Sequence, residues 1–258
     1  MPMIDVAGLA VHYRLDGPED APVLVLSNSL GTTLDMWRPQ LAAFSRRFRL
    51  LRYDSRGHGE TTVPPGPYAI GQMAGDLLGL LDALGFDRVH FCGLSMGGMV
   101  GQSLALRAPE RLDRLLLCNT AAVIGPPEAW DRRAAAVEAG GMAAVAPVVE
   151  RWFTADFLRR FPDDVAPFAA MLRDTPPKGY VGCCHAIREH DLRFLVSAIS
   201  TRTMVIAGTH DVATPPGDGR FLAGAIPGAI YVELPAAHLS NVEAAGPFTR
   251  AVLAFLNG

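Results

Sequence analysis

Apolar residues in this chain fall into short runs separated by longer amphipathic stretches. Val23-Leu24-Val25-Leu26 is continuously apolar, as is Leu115-Leu116-Leu117-Cys118, and Met204-Val205-Ile206-Ala207 repeats the pattern. Runs this short and this unbroken predict strands covered on both faces. Residues 48–53, 89–92 and 230–232 read as further strands, and residues 9–15 alternate apolar and polar like a strand of an edge hairpin. Between residues 70 and 84 the apolar positions Met73, Leu77, Leu80, Leu81 and Leu84 trace one helical face, which Gly85 ends. Helices are also expected over residues 96–106, 221–225 and 242–256. Strand and helix alternate, which predicts an α/β fold with a mostly parallel central sheet and helices on both faces.

The alternation stops between residues 125 and 195. That stretch carries two of the three tryptophans, Trp130 and Trp152, many Ala and Arg, and no strand pattern. It reads as a helical cap inserted into a core formed by residues 1–124 and 196–258. Pro126-Pro127 opens it and Pro176-Pro177 interrupts it.

Composition narrows the function classes. The chain has 258 residues, half of them hydrophobic, with a formal charge of −3. No basic stripe suggests a nucleic-acid partner. No apolar run reaches membrane-spanning length, and Met1-Pro2-Met3-Ile4-Asp5 lacks the basic-then-apolar order of a secretory leader. A cytoplasmic protein is expected. Cys92, Cys118, Cys183 and Cys184 have no metal or disulfide spacing and read as buried thiols and helical filler. No metal site is expected.

Gly93-Leu94-Ser95-Met96-Gly97 fits Gly-x-Ser-x-Gly, set between a predicted strand and a predicted helix rich in small residues. A sharp strand-to-helix turn projects its serine at a helix N-terminus, and the flanking glycines remove the Cβ atoms that would clash. A hydroxyl needs a base to become a nucleophile, and the base needs an acid to hold its tautomer. On this architecture the partners follow in the order Ser, Asp or Glu, His, each just past a strand. Asp211 follows the 204–207 strand in Gly208-Thr209-His210-Asp211. His238 follows the 230–232 strand in Pro235-Ala236-Ala237-His238. Ser95, Asp211 and His238 are therefore the candidate catalytic residues. His210 reads as a bystander, His58 as a structural residue beside the elbow, and His185 and His190 as surface or packing residues. The Met96 backbone N–H, following the serine, is one candidate oxyanion donor. The second should come from Ser27-Asn28-Ser29-Leu30-Gly31.

These motifs resemble the α/β-hydrolase superfamily over essentially the whole length, and more narrowly the 3-oxoadipate enol-lactonases. The narrower match rests on Ser27-Asn28-Ser29-Leu30-Gly31-Thr32 with Met36-Trp37, Asp54 to Gly59, Cys92 to Gly98 and Asn119-Thr120-Ala121-Ala122. In the cap it rests on Ile124-Gly125, Glu128-Ala129-Trp130 and Glu150-Arg151-Trp152-Phe153-Thr154. Gly208 to Asp211 with Thr214-Pro215-Pro216, and Ala237-His238, complete it. Cys184-His185 departs from the small residues expected there. Many relatives carry a His-Gly pair where Asn28-Ser29 stands, and aligning on it makes the Leu30 N–H the second donor. The resemblance implies hydrolysis of a five-membered unsaturated lactone bearing a carboxymethyl arm. A cation should then meet that arm, and Arg133, three residues after Trp130, shares its helical face. Trp130 and Arg133 are the candidate substrate contacts. A broad carboxylesterase or perhydrolase on the same three residues is the alternative, and a non-catalytic small-molecule receptor on this fold is a second.

Overall fold

The computed structural model describes residues 2–258, so Met1, the first residue of the expected core and of the segment read for a leader, lies outside it. An eight-stranded sheet runs through the molecule in the order β1-β2-β4-β3-β5-β6-β7-β8. The strands are β1 (Met3–Val6), β2 (Leu9–Asp16), β3 (Val23–Ser27), β4 (Arg49–Tyr53), β5 (Val89–Leu94), β6 (Leu112–Cys118), β7 (Arg202–Gly208) and β8 (Ile230–Leu234). Only β1 and β2 pair antiparallel with their neighbours; the rest are parallel. The fold class is the expected one.

β5 and β6 show why continuous apolar runs read as central strands. Every residue of β5 is buried, and so are the last four of β6, because helices cover both faces. Flanking the sheet are α1 (Arg38–Phe44), α2 (Ile70–Leu84) and α3 (Met96–Arg107). Between β6 and β7 the chain forms α4 (Pro127–Gly140), a 3₁₀ stretch (Gly141–Arg151), α5 (Ala155–Arg160), α6 (Pro162–Asp174) and α7 (Pro177–Arg188). An antiparallel bridge, Val123 to Asp191, closes the base of this excursion. Pro176-Pro177 begins α7 rather than breaking a helix, since proline is favoured in a first turn whose N–H groups lack intrahelical partners. After β7 come α8 (Pro216–Ala225), α9 (Ser240–Glu243) and α10 (Ala245–Asn257). The single helix expected over 242–256 is thus two, divided at Ala244, whose backbone leaves the helical region.

Close approach explains the small residues of α3. A Cβ on Gly97 would strike the Ser27 carbonyl, one on Gly98 would lie 2.6 Å from Thr120 Cγ2, and one on Gly101 would lie 2.6 Å from the Phe91 ring. The helix therefore packs its backbone against β3, β5 and the loop after β6. Gly97→Ala is expected to destabilise the fold by about 3 kcal/mol, the upper end of overpacking penalties. Urea unfolding checks this, against a gain of about 0.5–1 kcal/mol for Gly75→Ala, a helix-interior position where the space is open. Among the described residues no helix is long and apolar enough to cross a membrane.

Candidate active site

The turns at the C-terminal ends of β3, β5, β6, β7 and β8 meet at one edge of the sheet, where open α/β sheets form their crevice. Ser95 joins β5 to α3 with φ 58° and ψ −117°, a conformation that costs a non-glycine residue roughly 1–3 kcal/mol. Three contacts hold it there. Its N–H donates to the Cys118 carbonyl at 2.9 Å, its carbonyl accepts the Met99 N–H at 3.1 Å, and the Thr120 hydroxyl donates to that same carbonyl at 2.8 Å.

Asp211, three residues beyond β7, receives the His238 Nδ1 at 2.8 Å on Oδ2. That oxygen also accepts Thr214 Oγ1 at 2.7 Å and Asn119 Nδ2 at 3.0 Å, while Oδ1 accepts the Ala213 and Thr214 N–H groups. Burial alone would raise the Asp211 pKa. The His238 charge and hydrogen bond, with the Asn119 and Thr214 donors, outweigh it and bring the pKa down to about 2. A carboxylate only accepts, so the proton of the neutral imidazole sits on Nδ1 and Nε2 is left as the acceptor.

Ser95 and His238 line one cavity of 370 Å³ together with Ser29, Leu30, Trp130 and Arg133. No hydrogen bond joins the Ser95 hydroxyl to His238 in this geometry; bonds of this kind commonly tighten only when substrate binds. Met96 is fully buried and is the first residue of α3, so its N–H has no intrahelical acceptor. Among the described residues the Leu30 N–H finds no acceptor either. The loop bearing it is fixed from below. Trp37 Nε1 donates to Asn28 Oδ1 at 3.0 Å, Asn28 Nδ2 donates to the Tyr53 carbonyl at 2.7 Å, and the Gly97 N–H donates to the Asn28 carbonyl at 3.0 Å. An imidazole tethered to a buried carboxylate beside a hydroxyl can relay a proton, and two free amides at the same rim can bind a developing anion.

The cavity wall is cationic. The Arg133 guanidinium lies 4.6 Å from the Trp130 ring centre and makes no ion pair among the described residues. Arg151 also lines the cavity and donates to the Val212 carbonyl at 3.1 Å. Asp218 is the one carboxylate in the wall among the described residues. Burial, then the charge of Asp211, holds its pKa up.

A family model for the alpha/beta hydrolase fold matches residues 22–245. The chain belongs to the α/β-hydrolase family. Its relatives include 3-oxoadipate enol-lactonase 2 of Acinetobacter baylyi, 41% identical over 96% of this chain and 93% of that one. The crystal structure of the enol-lactonase from Burkholderia xenovorans LB400 superposes with a TM-score of 0.98 at 51% identity, covering all of both chains. A thermophilic esterase from Thermogutta terrifontis, with malate bound, superposes at 0.91 with 30% identity, covering 99% and 96% of the two chains.

Within this α/β-hydrolase the histidines set aside in the sequence take other places. His210 is exposed and lies on a separate groove. His190 is buried, and desolvation lowers its pKa to about 4. His58 accepts the Gly31 N–H on Nε2 at 2.9 Å. Burial keeps it neutral, so it props the loop that carries Leu30. Cys184 is fully buried on α7, and burial pushes its thiol up to about 12, which makes it inert packing. No motif in the sequence assigns Asn119, Thr120 or Thr214 a role in the site. Asn119 did leave a trace, as a short polar residue at the end of an apolar strand, and it adopts φ 44° there.

Proposed function

We propose that this protein hydrolyses 3-oxoadipate enol-lactone to 3-oxoadipate through an acyl-enzyme on Ser95. The observation carrying the reading is the hydrogen-bonded Asp211–His238 pair opening onto the cavity that Ser95 lines. The likeness to enol-lactonases supplies the substrate.

Ser95 Oγ attacks the ring carbonyl and passes its proton to His238 Nε2. The Leu30 and Met96 N–H groups hold the oxyanion, each worth about 3 kcal/mol in the transition state. Collapse breaks the ring C–O bond. The departing oxygen is an enolate, a better leaving group than an alkoxide, so the bond breaks with little acid help; the proton held by His238 passes to the enolate as it becomes the ketone and leaves the imidazole neutral. Water, deprotonated by His238, then cleaves the ester, and the imidazolium returns that proton to the departing Ser95 Oγ. The chemistry draws on no metal or organic cofactor, and the partner is a small-molecule lactone.

Residues 125–195 act as the cap over a core of residues 1–124 and 196–258. Arg133, backed by Trp130, receives the carboxymethyl arm; a guanidinium with no carboxylate partner among the described residues, and the cationic wall, support an anionic ligand. Four free, buried thiols, with the Cys92 and Cys118 sulfurs in hydrogen-bond contact at 3.8 Å rather than joined as a disulfide, fit a reducing compartment, here the cytoplasm. Arg133→Ala is expected to raise KM for the lactone about 10- to 100-fold, the worth of a charge-assisted hydrogen bond. KM for a neutral aryl ester should hold. An unchanged lactone KM removes the assignment.

The likeness to the Thermogutta esterase favours a second reading, a broad carboxylesterase. Parallel assays decide between them. The lactonase reading expects a higher kcat/KM for the enol-lactone, followed by its ultraviolet loss, than for p-nitrophenyl acetate. Faster turnover of the aryl ester establishes the generalist.

A further inference from the structure

Both peptide neighbours of His238 are tied to one short stretch of the excursion between β6 and β7. The Leu239 N–H donates to the Trp152 carbonyl at 2.9 Å. The Ala237 N–H donates to Glu243 Oε2 at 2.8 Å. The same carboxylate accepts the Thr154 N–H at 3.2 and 3.3 Å, and the Thr154 hydroxyl donates to its Oε1. Thr154 is in turn the N-cap of α5, its Oγ1 accepting the Phe157 N–H at 3.3 Å. On the other side of the Ala237 peptide, the carbonyl accepts Asn119 Nδ2 at 3.2 Å, and Ser240 Oγ donates to Asn119 Oδ1 at 2.5 Å.

Trp152 also lines the cavity. The strap of residues 152–154 therefore puts one residue, Trp152, in the wall that meets the ligand, while the Trp152 carbonyl and Thr154 fix the backbone on either side of the imidazole. This half-buried carboxylate takes three donors and makes no ion pair among the described residues. Its hydrogen bonds all go to the His238 loop and to this strap. Neither the Ser95 elbow nor the Asp211 turn donates a hydrogen bond to it.

We propose that Glu243 is a positioning residue for His238, clamping the imidazole-bearing loop to the cavity-lining strap so that a filled cavity and a correctly aimed base occur together. This deepens the reading of His238 as the general base and rests on it. Loss of the clamp leaves the Asp211–His238 bond in place but frees the loop to move against Ser95. Displacement on the order of 1 Å at a reacting group costs up to ~100-fold in rate.

The test measures the rate constant of Ser95 modification by a fluorophosphonate, beside kcat and KM for the lactone. The fluorophosphonate reports activation of the hydroxyl whichever ester is the natural substrate. Its rate constant is a property of the folded molecules and does not fall when some of the sample is unfolded. Glu243→Ala is expected to lower both the modification rate constant and kcat ~10- to 100-fold, with KM changed less than ~3-fold. Glu243→Gln, which keeps one acceptor oxygen, should fall between, and Thr154→Ala should show the same split in milder form. If Glu243→Ala fails to fold, the Gln and Thr154 variants carry the test. Wild-type rate constants in the variants that fold overturn the clamp. A wild-type protein that the reagent does not modify at all overturns instead the reading of Ser95 and His238. One that is modified but leaves the lactone intact overturns only the substrate.

Discussion

Ser95→Ala is expected to abolish enol-lactone hydrolysis, lowering kcat by ~10⁴- to 10⁶-fold. The size of the effect follows from removing the nucleophile while the turn that held it stays in place. The backbone of Ser95 sits at φ 58°, held by the Cys118, Met99 and Thr120 contacts. Alanine takes the same conformation without new clashes, so the oxyanion amides and the cavity survive. What disappears is the covalent route. Residual turnover should reflect only binding and the two free N–H groups. Circular dichroism and the urea midpoint should match the wild type, which separates lost chemistry from lost fold. Ultraviolet loss of the lactone gives the rate.

Asp211→Asn is expected to cost ~10⁴-fold in kcat, with KM nearly unchanged. The carboxylate selects the tautomer in which Nδ1 donates. An amide turned to offer its NH₂ would invert that choice, place the proton on Nε2 and leave nothing to accept the Ser95 proton. The same residue sets an acid limit on stability. Its folded pKa of about 2 lies below the ordinary 3.8. Folding therefore favours the ionised form. The stabilisation, on the order of 2 kcal/mol, is complete above pH ~4 and is lost as pH falls through ~2. Denaturation midpoints of the wild type should drop across that interval, and those of Asp211→Asn should drop less.

The strands easiest to read are those buried over most of their length, while β2 and α2 are legible instead by their alternation and their helical period. β3, β5, β6 and β7 are covered on both faces and read as unbroken apolar runs. β1 shows no pattern in the sequence because Met3–Val6 is a four-residue edge strand with mostly open positions. α1 begins from a 3₁₀ turn at Leu34–Trp37, and its seven residues are too few to show a period. The division between α9 and α10 is a backbone event at Ala244 that apolar spacing does not encode.

The candidate site divides the same way. Ser95, Asp211 and His238 each stand just beyond a strand, so chain order alone could propose them. Trp130 and Arg133 are three apart on α4, and helical spacing places them on one wall. Arg151 and Asp218 also line the cavity, yet they come from a 3₁₀ stretch and from a helix on the far side of β7, with no spacing to connect them. Asn119, Thr214 and Glu243 act on neighbours from distant parts of the chain. Their importance lies in hydrogen bonds that exist only once the sheet has assembled.

Fluorophosphonate treatment of the wild type, followed by peptide mapping and assay of the same sample, bears most directly on the central claim. The account predicts one adduct, on Ser95, and a loss of lactone hydrolysis in proportion to its occupancy. Enzyme that still opens the lactone at its full rate once Ser95 is completely modified would contradict it.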